Sequence, residues 1–146
     1  MRFALNRIPL RAACSLLFLM PAALLRANAT SPVAEAELIR VLQSGASDEV
    51  RAEACKELRL VGTARAVPAL SALLSHESLS QAARHALEAI PGPEADAALR
   101  EALGKTTGLL RAGVADSLGW RGDPQAVRSL KPLLTDSNPV VAAAAA

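Results

Sequence analysis

The side chains best suited to chemistry are few in this sequence. His76 and His85 are its only histidines, and no spacing of histidine, cysteine or carboxylate matches the three or four converging ligands that a zinc site needs. Cys55 has no neighbouring base to activate it, so we interpret it as a packing residue and not as a nucleophile or chromophore attachment point. Neither a phosphate-binding glycine motif nor a nucleophile elbow is present. The sequence therefore predicts no catalytic, cofactor or metal site.

Arginine and tryptophan are the better candidates for binding. Arg51 and Arg111 occupy equivalent positions sixty residues apart, and Arg84 could extend them into a basic ladder suited to an acidic partner. The alternative is a structural arginine that bridges to an aspartate of an adjacent turn, such as Asp48, and repeated charges in such arrays usually serve stacking. Trp120 is either a binding hot spot or a filler of the gap against the next unit. These three arginines and the tryptophan are the candidate partner-binding residues.

A repeat would position those side chains. Gly62, Gly92 and Gly122 follow one another at thirty-residue intervals, and each closes an apolar helix, a polar turn and a second alanine-rich helix. A fixed period in this range is typical of a stacked array. With no sustained period-two alternation, the sequence predicts an all-α solenoid of stacked antiparallel helix pairs. Its four units are residues 33–62, 63–92, 93–122 and 123–146, the last incomplete.

Local signals define the helices of each unit. The glycines are predicted to take left-handed conformations at helix ends. Ser47-Asp48 and Asp136-Ser137-Asn138-Pro139 are predicted N-caps.

Pro68 falls near the tolerated start of its helix, whereas Pro132 is deeper and predicts a bend. Unit three lacks the valine of the other first helices, so its first helix is expected to pack less tightly. Apolar residues at helical spacing recur sixty residues apart, as Val67, Leu70, Leu73 and Leu74, then Val127, Leu130, Leu133 and Leu134.

Residues 1–29 have the pattern of a cleaved export signal. Three arginines precede an apolar run of fourteen residues, too short to span a bilayer, and Ala27-Asn28-Ala29 fits a cleavage site. Cleavage would leave 12 basic and 14 acidic residues, a net charge of −2, and Trp120 as the one aromatic. Nucleic-acid binding is therefore not expected, because stacking platforms need several aromatics beside a basic groove. We expect a periplasmic or extracellular location without membrane insertion after cleavage.

The repeats resemble the HEAT repeat superfamily, most closely the bacterial HEAT-like repeats of phycobilisome lyase subunits. The resemblance rests on Gly122-Asp123-Pro124-Gln125-Ala126-Val127, on its weaker copy from Gly62 to Leu70, and on Asp48-Glu49-Val50-Arg51 with Leu58. It covers about residues 33–146. It implies a scaffold or binding module, and family members also serve as lyase subunits or as appendages of larger secreted enzymes.

The leading hypothesis is an exported, non-enzymatic interaction module that holds a protein partner on its concave second-helix surface. The alternatives are a repeat appendage or subunit of a larger secreted redox or hydrolytic enzyme, and a lyase-like chaperone. The thirty-residue period predicts a further glycine near position 152, so we expect the sequence to be part of a longer repeat protein.

Overall fold

The computed structural model describes residues 32–146. The predicted signal segment, residues 1–29, lies outside the described residues. Within the described part the chain is helical and contains no strand. The α-helices are α1 (Pro32–Gln43), α2 (Asp48–Val61), α3 (Val67–Ser71), α4 (Ser80–Ala89), α5 (Pro93–Lys105), α6 (Gly108–Arg121), α7 (Ala126–Leu130) and α8 (Pro139–Ala144). Two 3₁₀ helices adjoin them, Ala64–Ala66 before α3 and Lys131–Thr135 after α7.

The helices stack in two layers. The first helices of the units, α1, α3, α5 and α7, contact one another in chain order, and so do the second helices, α2, α4, α6 and α8. Short connections join the two helices of a pair, which makes them antiparallel neighbours. The predicted all-α solenoid is confirmed.

The core lies between the layers and is built from leucine and alanine. Each unit buries an apolar stripe that a single helix pair could not cover alone, so neighbouring units must stack. Alanine at the facing positions lets helix backbones approach closely. The fully buried residues include Leu58, Leu70, Leu87, Leu99 and Leu118, with Ala83, Ala86, Ala95 and Ala115 between them.

The three period-marking glycines differ in conformation. Only Gly122 has the predicted left-handed helical conformation, with φ 63° and ψ 32°. Gly92 has φ 108° but precedes α5 as its N-cap, and Gly62 is extended at φ −68°. A Cβ on Gly62 would lie 2.4 Å from the Leu58 carbonyl oxygen and 3.0 Å from Ile90 Cδ1. The prediction was therefore wrong for Gly92 and for Gly62, and at Gly62 the glycine permits close packing between units one and two.

The prolines shape the first helices. Pro68 lies in the first turn of α3, where its missing N–H is tolerated. Pro132 coincides with a change from α to 3₁₀ geometry after Leu130, because it has no N–H to continue the α-helical ladder. The first helix of unit three has its one proline, Pro93, at its first position, and α5 runs unbroken for 13 residues. Ala95 and Leu99 on α5 are fully buried, so the expected looser packing was wrong.

Short polar side chains start several of these helices. The Asn138 side chain accepts a hydrogen bond from the Val140 N–H at 2.9 Å, as the N-cap prediction requires. Asp123 Oδ1 accepts one from the Gln125 N–H, also at 2.9 Å, at the start of unit four. Ser47 occupies the N-cap position of α2, but its side chain makes no capping hydrogen bond.

Candidate functional site

A groove crosses the exposed face of the second helices α2, α4 and α6. It consists of two adjoining depressions that share Arg59 and His85. The aromatic depression, about 300 Å³, is lined by Arg59, His85, Glu88, Ala89 and Trp120. The basic depression, about 260 Å³, is lined by Cys55, Lys56, Arg59, Ser78, Gln81, Ala82 and His85. We call the two together the second-helix groove.

Helical periodicity places these side chains together. Residues three or four apart share a helix face, so Lys56 and Arg59 line the groove from α2, and Gln81 and His85 line it from α4. Trp120 reaches it from the last turn of α6. The groove therefore exists only when units one, two and three are stacked.

Arg59 is the cation of the groove that is not neutralised. Its side chain is exposed and forms no hydrogen bond or ion pair with the described residues, 32–146. Lys56 Nζ instead donates to Glu53 at 2.7 Å, and that hydrogen bond raises the pKa of Lys56. Glu88 accepts a hydrogen bond from the Ser117 hydroxyl at 2.7 Å and forms no ion pair with Arg59. The centre of the groove thus carries a guanidinium available to a ligand.

Trp120 is 80% exposed. This exposure excludes the interpretation in which Trp120 fills the gap against unit four. It leaves the only tryptophan of the sequence on the rim of the aromatic depression.

Arg51 and Arg111 both lie four residues after the N-cap of their helix, as the ladder requires. Each contacts an aspartate: Arg51 Nη1 lies 3.7 Å from Asp48 Oδ1, and Arg111 Nη1 lies 3.4 Å from Asp136 Oδ2. Arg111 Nε also donates to the Thr106 carbonyl at 2.6 Å. These contacts match the structural interpretation, including the pairing of Arg51 with Asp48. A role in partner binding stays a prediction.

Arg84 does not extend the ladder. It lies five residues after its N-cap, Leu79, and a shift of one residue turns a helical side chain by about 100°. Arg84 Nη1 consequently points into the junction between α4 and α6, where it donates to the Gly113 carbonyl at 2.8 Å and to Ser117 Oγ at 3.1 Å. The guanidinium packs so closely on Gly113 that a Cβ there would lie 2.6 Å from Arg84 Cζ.

Arg121 was missed by the sequence analysis. Its side chain is 9% exposed and forms an ion pair with Asp96. Its Nη1 donates to the carbonyls of Leu87 at 2.6 Å and Ile90 at 2.8 Å, and its Nη2 to that of Gly92 at 3.0 Å. Arg121 therefore satisfies the carbonyls at the end of α4 from the neighbouring unit. No repeat signal marks it, because Val61 and Pro91 stand at the equivalent positions.

Cys55 lies on the floor of the basic depression and is fully buried. Burial raises the pKa of the Cys55 thiol to about 11, against a smaller opposing effect of the Arg51 charge. The thiol is neutral at physiological pH, in agreement with a packing residue.

Across the described residues, no three or more histidine, cysteine or carboxylate side chains lie together in an arrangement able to hold a metal ion. None of the helices within residues 32–146 is long and apolar enough to cross a membrane.

The fold and the groove define a class of protein: an all-α solenoid whose stacked second helices present a grooved surface. A model of HEAT repeats matches residues 35–111 and, overlapping them, residues 82–146. The chain belongs to the HEAT repeat family. No curated protein matches the sequence.

Proposed function

We propose that this chain is an exported, non-catalytic scaffold that holds a protein partner in the second-helix groove. The observation that carries the proposal is the pairing of an 80% exposed Trp120 with an unpaired Arg59 on one continuous surface. Tryptophan and arginine are the residue types most enriched at the energetic centres of protein interfaces. HEAT repeats generally mediate protein–protein interaction, which supports the same conclusion.

A protein partner fits the groove better than a nucleic acid does. Trp120 is the one aromatic residue among the described residues, whereas base stacking needs several. The described residues are also acidic overall, so a phosphate backbone would find no continuous basic track.

Photocrosslinking tests the site. The full chain, expressed in its source organism with its N-terminal segment, would carry p-benzoylphenylalanine in place of Trp120. The matched control carries it in place of Leu109, which is 76% exposed on the same helix but lies outside both depressions. We expect a covalent adduct with another protein from position 120 and none from position 109.

Two results would contradict the proposal. Equal adducts from both positions would show that the surface is non-specifically sticky. An adduct identified by mass spectrometry as a second copy of the chain would replace a separate partner with self-association.

Export is tested separately by the mass of the chain recovered from cells. The proposal expects an N-terminus at Thr30 and recovery outside the cytoplasm, as the signal pattern of residues 1–29 indicates. Recovery of the uncleaved chain from the cytoplasm would contradict it and would restore a lyase-like chaperone as an alternative.

A further inference from the structure

We infer that the second-helix groove recognises an extended segment of its partner that carries an acidic side chain and, about three positions away, a large apolar side chain. The acidic side chain would occupy the basic depression and the apolar one the aromatic depression. This inference rests on the proposed function and specifies the chemistry of the partner.

The basic depression selects for negative charge. Lys56, Arg59 and His85 line it, and no carboxylate does. Arg59 has no partner among the described residues, so an incoming carboxylate would not have to displace an existing ion pair. A guanidinium binds a carboxylate through two parallel hydrogen bonds, which gives geometric selectivity over other acceptors.

The aromatic depression selects for apolar surface. Trp120 forms one wall, and Ala89, which is also exposed, contributes a small apolar floor beside the shared Arg59 and His85. Glu88 is the one acid of this depression, and its Oε1 is engaged by the Ser117 hydroxyl. Glu88 and the Trp120 indole line only this depression and Lys56 only the basic one, so a carboxylate is favoured in the basic depression and an apolar side chain in the aromatic one.

The fold sets the spacing between the two side chains. The basic depression lies between α2 and α4, and the aromatic depression extends from Arg59 on α2 across α4 to Trp120 on α6. Packed helices lie about 8–10 Å apart, and an extended segment in the polyproline II conformation advances about 3.1 Å per residue with every third side chain on the same side. Two side chains about three positions apart therefore match the step from one depression to the next.

The chain contains its own probe for this test. Trp120 is the only tryptophan and the sequence has no tyrosine, so tryptophan emission reports directly on the aromatic depression. The ligands are acetylated and amidated glycine-serine peptides with one glutamate placed three positions before or after one phenylalanine. Control peptides replace the glutamate by lysine, or place it next to the phenylalanine. Trp120 emission is titrated with each peptide on the full chain, and the anisotropy of fluorescein-labelled peptides gives an independent affinity.

We expect saturable binding of at least one of the two spaced peptides, weakened about tenfold by Arg59→Gln and by Trp120→Ser. The matched controls are Arg128→Gln and Leu109→Ser, which remove an exposed arginine and an exposed apolar side chain away from the groove. Both controls should leave the affinity unchanged.

Several outcomes would overturn the inference. The inference fails if no peptide binds saturably up to about 1 mM, or if the lysine or adjacent-residue peptides bind as tightly as the spaced peptides. It also fails if Arg128→Gln weakens the affinity as much as Arg59→Gln does. Concentration-dependent dimerisation of the full chain that Trp120→Ser abolishes would assign the groove to a second copy instead. A crosslinked partner at position 120 without peptide selectivity would leave the proposed function standing and reject only this partner chemistry.

Discussion

The last turn of α6 holds two neighbouring residues in opposite environments. Trp120 is 80% exposed, although its indole is the largest apolar side chain of the sequence. Arg121 is next in the chain, yet its side chain is only 9% exposed. Tryptophan side chains are usually more buried than arginine side chains, and here the order is reversed. The physical reason is different for each of the two residues.

The burial of Arg121 is compensated within the molecule. Its guanidinium donates to four carbonyls at and just after the end of α4 and pairs with Asp96. Helix C-terminal carbonyls lack partners within their own helix and carry partial negative charge, so a buried cation is stabilised there. The exposure of Trp120 has no such compensation among the described residues. The internal hydrogen bonds and ion pair of Arg121 therefore mark it as structural, and the lack of such contacts at Trp120 and Arg59 supports the proposed binding surface.

The largest expected effect is the difference in stability between the Arg121→Gln and Arg59→Gln variants. Removing the buried guanidinium leaves carbonyls and Asp96 without their partner, so we expect Arg121→Gln to lower the free energy of unfolding by about 3 kcal/mol. Arg59→Gln removes no internal contact and should change it by less than about 0.5 kcal/mol. Urea unfolding followed by circular dichroism measures both. Equal effects of the two variants would remove the distinction between a structural and a free arginine.

The pH dependence of stability tests the buried floor of the groove. The pKa of Cys55 is raised to about 11 from an ordinary value of 9.0. As pH rises through 9 the unfolded chain loses the thiol proton while the folded chain keeps it, so the unfolded state binds fewer protons and stability falls. Most of the loss has occurred by pH 11, and it approaches about 2–3 kcal/mol above that pH.

The matched control for this pH effect is Cys55→Ala. Urea unfolding in reducing buffer from pH 8 to pH 11 would give the stability difference between the original chain and this variant. We expect that difference to decrease as pH rises, since all other titrating groups are shared. A constant difference would show that the thiol is as accessible in the folded chain as in the unfolded one.

Gly113 and Gly119 of α6 allow a packed and an unpacked position to be compared within one helix. A Cβ on Gly119 would meet nothing within 4 Å, so Gly119→Ala should stabilise the chain by about 1 kcal/mol through helix propensity. A Cβ on Gly113 would collide with the Arg84 guanidinium, which would then lose its hydrogen bonds to Gly113 and Ser117. We expect Gly113→Ala to destabilise by about 1 kcal/mol despite the same gain in propensity.

A double-mutant cycle isolates the cause. In an Arg84→Ala background the collision is gone, so Gly113→Ala should become stabilising by about as much as Gly119→Ala. Thermal melts of the two single variants and the double variant provide the measurement. If Gly113→Ala remained destabilising without Arg84, the close contact across the α4–α6 junction would not be its cause.

The solenoid could be predicted from the sequence because its signals are periodic. Leu70 and Leu130 recur at a fixed spacing, and each one buries the same stripe in its unit. The site could be predicted only in part. Trp120 was selected by residue type alone, whereas Arg84 was assigned to a ladder that a one-residue shift of α4 prevents. Neither Arg59 nor Arg121 recurs with the thirty-residue period. Whether an arginine side chain reaches the carbonyls at the end of α4, as Arg121 does, depends on how α4 and α6 pack.

The smallest expected effect concerns Trp120 itself. Trp120→Ser should change the free energy of unfolding by less than about 0.5 kcal/mol, as should Leu109→Ser, because neither side chain is packed. Urea unfolding at two protein concentrations measures both variants. A concentration-dependent loss above about 1 kcal/mol for Trp120→Ser alone would show that the indole is buried against a second copy in solution. Unchanged stability, combined with the weaker peptide binding expected of the same variant, would instead separate binding from folding at a single residue. That separation distinguishes Trp120 from its neighbour Arg121, whose loss would affect folding first.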